Sequence, residues 1–483
     1  MHKTSLIELL KLFTPKEYRE LGDYITSPFF NKNENVINLY SYIRKFLPDL
    51  ENEGLEKEKV YERITGNLEY NDGFMRTVIF NLNKLAEEYL AHSLRSKIED
   101  EFSLLQAYFD RGSDKLFEKK MKQISDTLSK NESKDQYHYY CLYRLQALKM
   151  AYNSKRRAFL NVKDFHEEDE IKTLDSLLTF YLLASLPEYG FFFNQSHVIK
   201  IDLEFTFLDE ILSYLKRSGF HKKNPELNLY YHQLLLEKDE DEKNFFELKE
   251  VVVNNIDEFR YGLKYNSVGL LANKAVNEYY KGKDKFLQEQ FDVHNLIIEK
   301  GLYKKFENSF FDDMLFKNIV KVALQLNKIE WTEKFIEENI DKLSPDDKPN
   351  SYNLNMARLL FYKNKFADAL SNLNEIKNVK HIHYKTETKM LSLMINYELE
   401  NDSEAVSIID NYKHFLSNDA LLTENRKERS YNFLKFTNEL IKMRENASKK
   451  SVYDLKYELE NTPNTFEKEW LISKADLLLN KAK

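Results

Sequence analysis

One cysteine, eight prolines and eleven glycines are spread over 483 residues, and each shortage excludes something. A single thiol cannot build a disulfide framework, so a reducing compartment is expected. Cys141 itself sits in YHYYCLYRLQAL at apolar helical spacing, which makes it a small core residue rather than a reactive one. So few turn-formers beside 72 Lys+Arg and 79 Asp+Glu is the composition of long helices with short connections, and an all-α chain is expected. A balance of −7 supplies no dominant basic footprint, so nucleic acid is not the expected partner. No uninterrupted run of about 18 apolar residues occurs, so no membrane-spanning helix is expected. The N-terminus MHKTSLIELLKLFTPKEY has charges inside its apolar stripe and no small-residue cleavage site, unlike a signal peptide. The expected setting is soluble and cytoplasmic.

The motifs of the common chemistries are missing as well. There is no Gly-x-x-x-x-Gly-Lys-Ser/Thr, Gly-x-Gly-x-x-Gly, Gly-x-Ser-x-Gly or His-Glu-x-x-His, and the 11 histidines are dispersed. DFHEED (Asp164 to Asp169) lacks the turn-forming glycine that would converge carboxylates on one ion, and reads as a solvated surface. His381 and His383 diverge on a helix, two residues apart. EKDEDEK (Glu237 to Lys243) joins two helices, with its acids at the start of the next. Lys155-Arg156-Arg157, and Lys216-Arg217 with Lys222-Lys223, fall at expected helix ends, where cations offset the dipole. No catalytic residue, cofactor site or metal site is therefore expected, and the chain is read as a non-enzyme.

What remains is helix after helix. Thr14, Pro15 and Glu17 form a start signal, and Ser27-Pro28 a stop. Asn33 caps a face of Val36, Leu39, Tyr40 and Ile43, and Asn71-Asp72-Gly73 opens a longer helix through Leu82 and Tyr89. In the middle third, Pro187 is expected to end a helix and Gly219 another. VIKIDLEFTF (Val198 to Phe207) alternates like a strand, yet Val198, Ile201, Phe205, Leu208 and Leu212 share one helical face, and a lone strand has no partner. Helix is the preferred reading there. The 34 Phe and 31 Tyr read as core between packed helices.

NKFADAL (Asn364 to Leu370) raises the possibility of a repeat. ENDSEAV follows it at a spacing of 36, aligning Phe366 with Asp402, and NKIEWTEKF precedes it at 35, aligning Trp331 with Phe366. Over roughly residues 310–420 the chain resembles the tetratricopeptide repeat family, whose period is 34. In that pattern small residues on a unit's two helices face each other. Ala357 and Ala369 fill those places in the best unit, with Leu360 and Leu373 at apolar positions, and Ala405 matches downstream. Lys334 and Leu393 replace small residues in the flanking units, and the terminal proline is absent. The resemblance implies a right-handed α-solenoid of stacked antiparallel helix hairpins, because no hairpin buries its apolar face alone. It also implies a protein- or peptide-binding scaffold, with Leu354, Arg358, Phe361 and Tyr362 facing the groove, Met394 and Tyr397 continuing it and Asn327 preceding it.

Residues 1–98 are read as an N-terminal helical module, 99–308 as irregular helical hairpins and 309–483 as the repeats with C-terminal capping helices. LEKEKVYERI and then GNLEYNDGFMRTVIFNLNKLAEEYL is similar in outline to a helix-turn-helix module. That would place Arg76 and Lys84 toward phosphates and make the chain a transcriptional regulator with a peptide-sensing repeat domain. The balance of acids and bases over Leu55–Leu90, the long connection from Ile64 to Asn71 and the lack of a wing favour a helical cap instead. SPFFNKNENV resembles an uncharacterised family of bacterial proteins, which implies no activity.

Overall fold

A computed structural model describes residues 1–131, 133–156, 167–199, 205–239, 241–306, 309–377, 382–419, 422–446 and 448–481, with backbone alone at 167–170, 197–199, 382–383 and 445–446. The chain is all-α: helix is its only extended regular structure among the described residues, beside one isolated bridge from Lys304 to Phe311. It divides into two compact units, Met1–Phe180 and Tyr181–Lys483.

The first unit opens with Ser5–Leu10, Pro15–Thr26, Glu34–Ile43, Lys57–Thr65 and Asp72–Ser93. Thr14 and Glu17 satisfy each other's backbone N–H in a capping box, and the Asn33 and Asn71 side chains cap the helices that follow them. Leu6, Leu10, Leu21, Leu39, Val60 and Leu82 are buried together in one core. Lys97–Asp110, Asp114–Ser129 and Gln136–Lys155 build a separate core from Phe102, Phe117, Ile124 and Leu145. Cys141 lies fully buried in it, and burial pushes its thiol up. Arg76 pairs with Asp72 at 2.7 Å and Lys84 with Glu88 at 3.8 Å, each an i,i+4 pair on its own exposed helix face.

Pro187 does not end its helix. It lies inside Glu167–Ile199, where a proline removes one helical hydrogen bond and costs roughly 3 kcal/mol. Leu182, Leu183 and Leu186, all buried in the turn before it, offset that loss. Within the same helix, Ile171–Ser196 is long and apolar enough to cross a membrane by length and composition, although only 28% of its most apolar window is buried. Lys172, Asp175 and Glu188 interrupt that stretch, so it holds no uninterrupted run of about 18 apolar residues. The face expected to run from Val198 through Leu212 as one helix is broken: Phe207 adopts φ 75° and a new helix begins at Leu208, with residues 200–204 outside the described set. Asp164 to His166, Arg157, Glu240 and His381 also lie outside it.

The second unit continues with Leu208–Ser218, Pro225–Lys238, Glu242–Asn255, Tyr261–Tyr280 and Lys285–Glu299. Gly219 closes the first of these in the left-handed conformation, and Asp241 caps the start of Glu242–Asn255. Then come Asp313–Gln325 and Ile329–Asn339, Lys348–Tyr362 and Phe366–Asn374, Ile382–Glu398 and Asp402–Asn418, followed by Glu424–Asn446, Lys449–Glu460 and Lys468–Lys481. Each helix packs chiefly on its neighbours along the chain.

Three connections in this run are alike. Asn327, Asn364 and Glu400 have φ of 55°, 55° and 61°, and the next residue's N–H reaches back to Ala323, Leu360 and Asn396 carbonyls at 2.9 Å each time. This is the left-handed helix stop in which the residue after the turn satisfies an orphan carbonyl. The turns recur at 37 and then 36 residues, so the upstream spacing of 35 is two short. Fully buried Thr332, not Lys334, therefore occupies the place of Ala369 and Ala405; Lys334 is exposed and pairs with Glu338 at 3.6 Å. Val320, Ala357 and Leu393 are the matching buried residues of the preceding helices.

Glu400 is an exposed, non-glycine residue in a conformation that L side chains disfavour by roughly 1–2 kcal/mol and asparagine tolerates better. Glu400→Asn is expected to stabilise the protein by about 0.5–1 kcal/mol in urea unfolding with an unchanged slope. A loss of stability would contradict the turn geometry.

Candidate functional site

Two lysines four residues apart interrupt an otherwise apolar helix, MLFKNIVKVALQ. Lys317 and Lys321 therefore share one face, and the fold seals them in at 1% and 7% exposure. The following long helix contributes Arg358 and, one turn on, Tyr362; Ile382–Glu398 contributes Glu387; Glu424–Asn446 contributes Arg426 and Arg429. Phe466 and Glu467, from the segment before the last helix, complete the cluster, and Tyr280 flanks it.

Glu387 is its centre. Arg358 Nη2 donates to Glu387 Oε2 at 2.5 Å, while Lys317 Nζ and Arg426 Nη2 approach Oε1 at 3.5 and 3.7 Å. Glu467 Oε1 lies 2.9 Å from Lys321 Nζ and 3.7 Å from an Arg358 nitrogen, although neither contact meets hydrogen-bond geometry, so this pairing is Coulombic. Burial works to raise the Glu387 carboxyl, but Lys317, Lys321, Arg358 and Arg426 hold it well below the usual carboxylate range. The two lysines diverge. Burial pulls the Lys317 amine down to about 8, against Glu387 and with the neighbouring cations, whereas Glu387 and Glu467 outweigh burial at Lys321 and hold it above its ordinary value. Lys317 is the cation left short, because its nearest carboxylate is already engaged by Arg358.

Of the residues expected to line a groove, Leu354, Arg358, Phe361, Met394 and Tyr397 are 0–6% exposed. Tyr362 is half-buried, and Asn327 is an exposed turn residue whose place follows from its positive φ. Arg358 pairs with an acid of the next long helix, and Phe361 is more buried than Tyr362. Tyr397 lies under the Arg444 guanidinium and meets Trp470 edge to face. Phe361 and Tyr362 line a cavity of about 270 Å³ with Asn364, Glu398, Trp470 and Lys474. Lys317, Lys321, Glu387, Arg426 and Glu467 were not foreseen from the sequence. The available signal was the pair of lysines set into an apolar helix face.

A second cavity, of about 920 Å³, lies beside Pro225–Lys238 and Glu242–Asn255. It carries His221, stacked on Tyr231, and His232; burial lowers both imidazoles, His221 to about 4. Among the described residues, no three His, Cys, Asp or Glu side chains gather to hold a metal ion.

No family model, curated protein or solved structure matches the chain. The functional reading therefore rests on this geometry.

Removing one partner of a sealed ion pair leaves the other charge without compensation. Glu387→Gln is expected to destabilise the protein by about 3–5 kcal/mol in chemical denaturation. A loss under about 1 kcal/mol, the size typical of a surface pair, would show that Glu387 is not the hub.

Proposed function

We propose that this chain is a non-enzymatic protein- or peptide-binding scaffold. Residues 309–483 would form a right-handed solenoid of tetratricopeptide-like antiparallel helix pairs, whose inner face takes an extended segment of a partner. The observation that carries this reading is how these helices hold a segment of their own chain. Arg429 Nε donates to Asn464 Oδ1 at 2.7 Å and Asn432 Nδ2 donates to the Asn464 carbonyl at 2.8 Å. Phe466 enters beside Tyr280 with Lys321, Arg426 and Arg429 around its ring, and Glu467 meets Lys321. The Tyr279 hydroxyl donates to Glu469, and Trp470 Nε1 donates to Glu398 at 2.7 Å. Main-chain hydrogen bonds, an aromatic anchor and paired carboxylates are the devices of peptide recognition.

The adjacent cavity lined by Phe361, Tyr362 and Trp470 has room for one large side chain, and its Glu398 and Lys474 pair with each other at 2.6 Å. A partner segment with an aromatic or aliphatic anchor flanked by polar residues fits it. The competing reading, a DNA-binding regulator, needs cations free to meet phosphates along Asp72–Ser93, and Arg76 and Lys84 are engaged by acids on that helix.

Peptides selected from a random display library against the full chain test the proposal. They are expected to lose about 2 kcal/mol, roughly thirtyfold in Kd, on Tyr362→Ala while the helical signal of the variant is unchanged. Selected peptides that bind the variant as tightly as the parent would place the binding surface elsewhere.

A further inference from the structure

The cluster around Glu387 does not balance. Four cations, Lys317, Lys321, Arg358 and Arg426, lie within 4 Å of two carboxylates, Glu387 and Glu467. Widening the circle adds Arg429 on one side and Asp313 and Glu428 on the other, and the cations still lead by one. Burial raises the Asp313 carboxyl, and the Tyr384 hydroxyl, donating to it at 3.2 Å, works against that rise.

A sealed excess of positive charge is costly unless something answers it. Here the donors are also unspent. The Nε atoms of Arg358 and Arg426 are both shut away from solvent with no hydrogen-bond partner, and Arg358 is 4% exposed. A guanidinium carries its donors in a rigid fork suited to oxyanions, and a buried N–H left unmade forfeits its desolvation cost. Access is through Arg426, whose side chain is 27% exposed.

We infer that Lys317, Arg358 and Arg426 form an anion-binding site for a phosphate group. A phosphate carries a charge of about −1.5 to −2 near neutral pH, which answers the positive excess, and its oxygens are acceptors for unpartnered guanidinium N–H donors. The low position of the Lys317 amine fits the same imbalance, since an anion beside it would restore an ordinary lysine. The inference does not rest on a peptide ligand: a free phosphate and a phosphate carried by a larger molecule present the same group.

The test is thermal unfolding of the full chain in inorganic phosphate, with sodium chloride keeping the ionic strength constant, beside phosphorus NMR line widths of the same samples. The parent Tm should climb with the logarithm of phosphate concentration, as mass action requires of a ligand bound only by the folded state, and the phosphate line should broaden. Lys317→Met should be at least as stable as the parent without phosphate, because it removes an unmatched buried charge, and should lose most of the phosphate response. Arg426→Gln, at a partly exposed position, should lose that response too, and serves if Lys317→Met fails to fold. O-phosphoserine in place of phosphate separates the two sources: a response to both indicates a site open to carried phosphates, and a response to inorganic phosphate alone indicates a closed site for the free ion. Indifference of the parent to phosphate, an undiminished response in either variant, or a folded Lys317→Met less stable than the parent without phosphate would each overturn the inference.

Discussion

One carboxylate, Glu387, governs the interior of the C-terminal unit. It is 3% exposed and draws cations from Asp313–Gln325, Lys348–Tyr362 and Glu424–Asn446 toward a single point on Ile382–Glu398. Apolar packing is tolerant of small shifts between helices, whereas a buried charge is not, because the energy of an unpaired ion far exceeds that of a displaced methyl. The ion pairs tie four helices to one point. Such a network adds little net stability over an apolar core of the same volume.

Around that centre the chain uses one local device repeatedly. A buried small or β-branched residue, Thr332, Ala369 or Ala405, sits on the helix that follows each left-handed turn at Asn327, Asn364 and Glu400. The turn sets the angle between consecutive helices, and the buried small residue sets how closely they approach. Lys317, Arg358 and Glu387, which meet, lie on the three helices that precede these turns.

The helices were legible in the sequence because caps and apolar spacing are local. Thr14-Pro15-Glu17, Asn33, Asn71 and Gly219 act as their chemistry dictates. Pro187 misled because burial of Leu182, Leu183 and Leu186 outweighs a backbone penalty that a local reading treats as decisive. The upstream unit was aligned two residues out because the aromatic Trp331 invites comparison with Phe366, while the feature that recurs is the left-handed turn at Asn327, Asn364 and Glu400, which carries no hydrophobic signal. Arg358 and Tyr362 lie one turn apart on Lys348–Tyr362. Their surroundings were not visible, since Glu387 and Glu467 lie 29 and 109 residues away in sequence from Arg358 and nothing local announces that they will meet it. Lys317 and Lys321 in an apolar helix were the overlooked sign: charged residues at core spacing require partners from elsewhere.

This interior holds more positive charge than its carboxylates answer, with Lys317 the cation left over. Carbon NMR of lysine Cε groups in phosphate-free buffer measures that most directly, with Lys317→Arg identifying the resonance. The account predicts one lysine titrating near pH 8, well apart from the surface lysines near 10.4. Titration of Lys317 together with the surface lysines would show that its charge is fully compensated and would contradict the account.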